Sequence, residues 1–361
     1  MKKLRIIFIC LILAACIAPS LLMVCGYKNA NRENRVLARF PKLFTEDGFN
    51  TEFTKKFDSY VDDHFAFKDI LVSVFNNTDI AVLHDFNGTN AVIGKENHIF
   101  YGETVDDYLG VDQLTQDQID TIANYLTDVQ NRFAIKKTRF AFLIAPNKAT
   151  IYPEYMPDYL KPDEEASHNI DMLKKAMKRR DINFIDAKQI LTDAKATNPV
   201  YYEHDSHWNN YGAMLVYNST ADLMGLEQYD PEVYTVVKDR TGDLHNFVYP
   251  ATSYLEDRIV YPEFHEYKSK RPVDFDRDKL VETHSEVNDK VFVMYHDSFG
   301  RSLQPIFSQS VGSLYMNSYF PYDLDFAEEK HPDFVVIELV ERNLDKLYEH
   351  ARSLGYSEEL P

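Results

Sequence analysis

Beyond residue 25 the sequence contains no cysteine, because Cys10, Cys16 and Cys25 are its only three. A thiol nucleophile, a disulfide framework and a cysteine-ligated metal are therefore excluded from the body of the chain. A domain of this length can bury enough core to do without covalent staples. Glycine is scarce, at 12 of 361 residues, and no phosphate-cradling or dinucleotide-binding glycine pattern occurs, so no cofactor is expected. Positive charge is also short. With Lys2, Lys3, Arg5 and Lys28 set aside, 35 basic residues face 57 acidic ones, a net charge of −22. Such a body repels phosphate backbones, so nucleic acid is not an expected partner.

Acidic residues are absent from the first 28 positions. Ile6 to Cys25 is an uncharged, largely apolar run long enough, as a helix, to cross a hydrocarbon core of ~30 Å. The cations before it predict a cytoplasmic N-terminus and an exported body. An uncleaved anchor is the leading reading, and a cleaved signal peptide is its rival. Leu13-Ala14-Ala15-Cys16 has the form of a lipoprotein cleavage box, although the apolar run continues past it through Val24. Each alternative places the body outside the cytoplasm, and the leading one holds it at the cell membrane by a single-pass N-terminal anchor. The organisation expected is an anchor or signal segment at 1–28, a polar tether at 29–39 and an extracytoplasmic domain at 40–361.

From Phe40 to about Asp85 the spacing of Phe53, Phe57, Tyr60, Val61 and Phe65 predicts helices, read as a membrane-proximal cap. Helix and strand then alternate. Thr115 and Gln118 have capping-box form, with Ile119, Ile122, Leu126, Val129 and Phe133 following on one helical face. Phe140–Ile144 is a continuous apolar run, as a strand covered on both faces requires. Further strands are predicted at 182–185, 291–295, 311–316 and 334–339, with helices around 170–177, from Asn209 to Met224, after Ser298 and from Leu344. This alternation predicts an α/β fold with a doubly wound, mostly parallel sheet flanked by helices. Residues 228–288, charged and tyrosine-rich, break the rhythm and are read as an insertion, a candidate lid.

In an open parallel sheet, ligands gather at the carboxyl ends of the strands. Three polar clusters follow predicted strands there, Asn147 and Lys148, Asp297 and Ser298, and Glu341, Arg342 and Asn343; a fourth, Asp205, Ser206, His207 and Trp208, follows the short apolar piece Val200-Tyr201-Tyr202. In an extended loop Asp205 and His207 share a side and Ser206 points away. Asp205 can then orient His207 as general base, while Ser298, on a strand-to-helix turn, is exposed as nucleophile with the next turn's N–H groups aimed at an oxyanion. Asn147, Lys148, Arg342 and Trp208 are candidates for oxyanion or substrate binding. Taken singly, each has a plainer reading: Ser298 as a helix cap, His207 as a packed side chain, Trp208 as core. His204, Asp205, His207, His296 and Asp297 also form a possible zinc set, but His204 and His207 lie three apart in a segment read as non-helical, and no metal is expected.

These residues resemble the SGNH-hydrolase-like polysaccharide O-acetyltransferases of the alginate acetylation type, and more narrowly their Gram-positive relatives named for an Asp-His-His-Trp motif. The resemblance is carried by Glu33-Asn34-Arg35, Asp63-His64-Phe65, Gly94-Lys95, Pro146-Asn147-Lys148, Asp205-Ser206-His207-Trp208, Gly242-Asp243-Leu244, Asp297-Ser298 and Glu341-Arg342. Ser206 stands where the family name has histidine. The resemblance implies the permuted order in which serine follows the Asp/His pair, with Ser298 as nucleophile, His207 as base and Asp205 as its orienter. It also implies a cell-surface polysaccharide as acceptor and a multi-spanning membrane-bound O-acyltransferase as acetyl source. An esterase with the same triad, and a non-catalytic glycan-binding or scaffold subunit of an export complex, remain alternatives.

Overall fold

The computed structural model describes residues 2–27, 37–45, 48–83, 91–111, 113–163 and 165–356. Most of the expected tether, with Glu33-Asn34-Arg35, lies outside the described residues. The chain divides into two compact units, Met1–Thr89 with His245–Tyr254, and Asn90–Leu244 with Leu255–Pro361.

In the first unit, helix α1 (Lys2–Val24) is the one described helix long and apolar enough to cross a membrane. Two further helices, Phe53–His64 and Lys68–Leu83, occupy the stretch read as helical from its spacing. On the first of them Phe53 stacks on Phe57, and Phe40 meets Phe57 and Tyr60 edge-on.

The second unit is built on a seven-stranded sheet: β1 (Arg139–Ala145), β2 (Phe184–Ile185), β3 (Tyr267–Lys268), β4 (Leu280–Ser285), β5 (Val291–Tyr295), β6 (Ser313–Asn317) and β7 (Phe334–Val340). Their order across the sheet is β2-β1-β7-β5-β6-β4-β3. The first five in that order run parallel, and β4 and β3 add an antiparallel edge. Both strands of this antiparallel edge come from residues 228–288, so this stretch completes the sheet.

Alternation along each strand sorts the core into two layers. Phe140, Phe142, Val293, Tyr295, Val335 and Ile337 pack under helices α2 (Gln116–Ile135), α3 (Asn169–Arg179) and α7 (Leu344–Ser353). Ala141, Leu143, Phe292, Met294 and Val336 face helices α4 (Ala187–Ala194), α5 (Asn210–Met224) and α6 (Gln304–Ser310). Burial on both faces is why these strands read as unbroken apolar runs. The capping box forms as expected: Gln118 N–H donates to Thr115 Oγ1 at 3.2 Å, and Thr115 N–H to Gln118 Oε1 at 2.8 Å. Helix α5 starts one residue later than its apolar pattern suggested, because Asn209 caps it by accepting the Gly212 N–H at 2.9 Å.

Candidate active site

The carboxyl ends of β1, β7 and β5 lie side by side, so the chain leaves the sheet there at Pro146, Glu341 and His296. After β5, Asp297 ties the turn to its neighbour strand. Its N–H donates to Glu338 Oε2 at 2.9 Å, and its carboxylate accepts the N–H groups of Val340 at 2.8 Å and Phe299 at 2.9 Å. Ser298 therefore sits on a fixed corner, with helical φ and ψ of −67° and −24°, at the head of the short helix Phe299–Leu303. Gly300 permits that corner to pack, since a Cβ there would come within 2.4 Å of His296 Cβ. The N–H groups of this turn are the ones expected to face an oxyanion. The first of them, on Phe299, is instead held by Asp297.

The Asp205–His207 segment has little regular structure, only the isolated bridge Tyr201–Trp208. Charged side chains hold it in place. Buried Lys148 donates its Nζ to the carbonyls of Glu203 at 2.6 Å, Ile99 at 2.8 Å and Asp205 at 3.4 Å. Buried Glu256 accepts the His204 N–H at 3.0 Å and the Glu203 N–H. Burial pushes the Lys148 ammonium down to about 7 and the Glu256 carboxyl up to about 7, each partly offset by opposite charges nearby. Replacing Lys148 by Met takes this donor from the buried carbonyls of Ile99 and Asp205, while the Glu203 carbonyl keeps the Ile99 N–H at 2.8 Å. The expected cost is about 3–5 kcal/mol, read as a fall in the denaturant midpoint at unchanged slope.

Across ninety residues of sequence the two segments meet. His207 Nε2 lies 2.8 Å from Ser298 Oγ, and His207 Nδ1 donates to Asp205 Oδ1 at 2.7 Å. Asp205 is fully buried, and its second oxygen accepts from Arg240 Nε at 3.0 Å and from Arg240 Nη2. Burial opposes the Asp205 charge, but His207 and Arg240 outweigh it and hold the carboxyl well below the usual range. Burial likewise disfavours the imidazolium, yet Asp205 and then Asp243 raise His207 to about 9.

Ser206 does not point away. It is buried, donating its N–H to Asp243 Oδ1 at 2.8 Å and its hydroxyl to Oδ2 at 2.7 Å, which leaves Oδ2 at 3.3 Å from His207 Nδ1. The segment bends instead of running extended, so strand-like alternation does not apply. Gly242 makes the approach possible: a Cβ there would lie 2.1 Å from the His204 carbonyl oxygen. Arg240 and Asp243 had no role in the sequence reading. Their only signals were the Gly242-Asp243-Leu244 motif and a cation in the tyrosine-rich stretch. The hairpin of strands Thr235–Arg240 and Glu256–Val260 slips register between Lys238 and Arg240, a local irregularity of the kind that re-aims a side chain beside a site.

A general base works only when neutral, so with His207 in that role activity is expected to rise with pH until about 9. Asp243→Asn removes one of the charges that favour the imidazolium, and the acidic limb of the kcat/KM profile should move to lower pH. An unmoved limb would show that Asp243 does not act on His207.

The other candidates are placed differently. Asn147 and Lys148 are buried beneath the site, not in it: Asn147 donates its N–H to Glu341 Oε2 at 2.7 Å and its Nδ2 to Asp107 at 2.6 Å. Trp208 borders the cleft but is 1% exposed, its Nε1 donating to Ser302 Oγ at 2.6 Å and its ring edge-on to Phe299. It packs the corner and offers no shelf. Arg342 lies over the rings of Tyr101, 5.2 Å away, and Phe299, 5.6 Å away. The five-ligand zinc set does not converge. Asp297 serves backbone N–H groups, and the His296 ring faces the Asp297 carbonyl at 2.6 Å and Gln304 at 3.1 Å. Among the described residues, Asp205, His207 and Asp243 are the cluster with ligand atoms close enough for a cation, and Arg240 already compensates Asp205.

His207 and Ser298 open onto a cleft of about 760 Å³. Its walls are aromatic, with Tyr202, Tyr261, Phe264 and Tyr267, and carry Arg258 and Arg301. A volume of this order suits a ligand larger than a single acetyl group.

The family described as SGNH hydrolase-like domain, acetyltransferase AlgX, matches residues 91–287, more than half of the chain. The match includes Asp205, His207, Arg240 and Asp243 and ends before Ser298. No curated protein matches the chain. Among solved structures, a DHHW family protein from Eubacterium siraeum aligns with TM-score 0.51 and 15% identity, over 72% of this chain and 98% of that one. PatB1 from Bacillus cereus aligns with TM-score 0.50 and 14% identity, over 64% and 92%. The O-acetyltransferase domain of Pseudomonas putida AlgJ aligns with TM-score 0.47 and 17% identity, over 74% and 100%. The match over residues 91–287 places the chain in the SGNH hydrolase-like family of the acetyltransferase AlgX.

Proposed function

We propose that this chain is a membrane-anchored, extracytoplasmic O-acetyltransferase that carries acetyl groups on Ser298 to hydroxyls of a cell-surface polysaccharide. The observation that carries the reading is the unbroken hydrogen-bonded line from Asp205 through His207 to Ser298 at the edge of a ligand-sized cleft. Ser298 Oγ attacks the acetyl carbonyl as His207 Nε2 takes its proton. That proton then goes to the leaving group, and an acetyl-serine remains. A glycan hydroxyl next gives its proton to His207 and attacks the same carbonyl, and Ser298 recovers its hydrogen. Asp205 holds the ring in the tautomer that leaves Nε2 free to accept, and stabilises the imidazolium formed in both halves. Helix α1 is the anchor in this reading, and a multi-spanning membrane-bound O-acyltransferase is the acetyl source.

The test combines labelling with turnover. A structure of PatB1 carries a sulfonyl adduct, so a sulfonyl fluoride is a reasonable probe. It should modify this chain at Ser298, as read by peptide mass spectrometry. With an activated acetyl ester and an oligosaccharide acceptor, acetylated oligosaccharide should appear. Ester hydrolysis that no glycan alters would identify an esterase instead, and absence of both labelling and turnover would leave a binding or scaffold role.

A further inference from the structure

The first unit carries an apolar surface that the acetyl chemistry does not use. Helix α1 ends at Val24, and the ring of Tyr27 just beyond it packs on Phe67 at 5.1 Å. Phe67, with a φ of +62°, makes the turn into helix Lys68–Leu83. The end of the membrane-spanning candidate and the start of this helix are therefore neighbours. On its first turns Ile70, Leu71, Val74 and Phe75 are 51, 49, 59 and 64% exposed. Positions i, i+1, i+4 and i+5 form one continuous stripe, and Ser73, off that stripe, is buried. Large apolar groups massed in this way on a water-facing surface mark an interaction site.

We propose that helix Lys68–Leu83 lies on the bilayer where the anchor emerges, with Ile70, Leu71, Val74 and Phe75 set into the boundary between headgroups and acyl chains. The inference rests on the anchor part of the proposed function. Lipid is favoured over a protein partner by continuity, since the surface starts where α1 ends. The Tyr27–Phe67 ring pair at that point is also the composition that settles at membrane interfaces. A helix held there would keep the membrane-proximal unit against the leaflet instead of letting it swing on a tether.

The experiment uses the full chain in its native membrane or in vesicles, with Cys10, Cys16 and Cys25 replaced by serine. A single environment-sensitive fluorophore is placed at Phe75→Cys, at Ile70→Cys or, as a surface control, at Lys346→Cys. Blue-shifted emission at positions 70 and 75, lost when the lipids are brominated near the headgroup, supports the proposal. Water-like emission from a chain that stays in the membrane on carbonate washing overturns it and leaves the anchor intact. Blue-shifted emission that brominated lipid does not quench means a protein covers the stripe, and also overturns it. Release of the chain by carbonate overturns the anchor and this proposal together.

Discussion

Ser298→Ala should lower acetyl transfer on the order of 10⁵-fold, to the residual rate that binding and electrostatics alone supply. Ser298 Oγ is the hydroxyl within 2.8 Å of His207 Nε2, and no thiol exists in the body to replace it. The substitution also leaves the fold alone, because alanine accepts the helical φ and ψ found there. The unfolding free energy should stay within the range of ordinary surface changes, about ±0.5 kcal/mol. Activity within about tenfold of the parent would end the acyl-enzyme proposal, since losing a true nucleophile costs far more than that. Labelling by the sulfonyl probe must vanish in the same variant.

Asp205→Asn comes second in size, with an expected loss of about 10⁴-fold in kcat at nearly unchanged KM. Asp205 uses both oxygens as acceptors: Oδ1 for the His207 ring and, at 3.0 Å, the His207 N–H, and Oδ2 for Arg240. An amide has one acceptor oxygen and one donor nitrogen. If the oxygen stays with Arg240, the amide NH₂ faces His207 Nδ1 and forces the other tautomer, whose Nε2–H cannot take the serine proton. If the oxygen stays with His207, two donors confront each other at Arg240 in a buried place. Nitrogen NMR of the imidazole distinguishes the two outcomes. An Asp205→Asn enzyme with full kcat would show that the carboxylate is not needed to orient the base.

Much of this was legible in the residue order. Phe140–Ile144, Val291–Tyr295 and Phe334–Leu339 could be read as strands because burial on both faces demands unbroken apolar side chains. The capping box at Thr115 is equally local, depending on three residues of spacing. Strand-like alternation turns Ser206 outward, but Lys148, Glu256 and Asp243 bend the segment into a different course. Asn147 and Lys148 read as ligand-binding groups in the sequence because they follow a strand. Position after a strand says nothing of which way a side chain turns, and theirs turn inward to Asp107 and to backbone carbonyls.

What the sequence determined by itself is the inventory. It set an acidic, thiol-free body behind an apolar N-terminal run, strands and helices in alternation, and a serine, an imidazole and a carboxylate at loop positions. These follow from composition and short-range periodicity, which are properties of neighbours along the chain. Only the tertiary structure decided that Arg240 neutralises the far side of Asp205, that Ser206 carries Asp243 to His207, and that a cleft opens beside Ser298. Those contacts join residues 35 to 91 positions apart, and such distances are closed by the packing of a whole sheet, which no local pattern encodes.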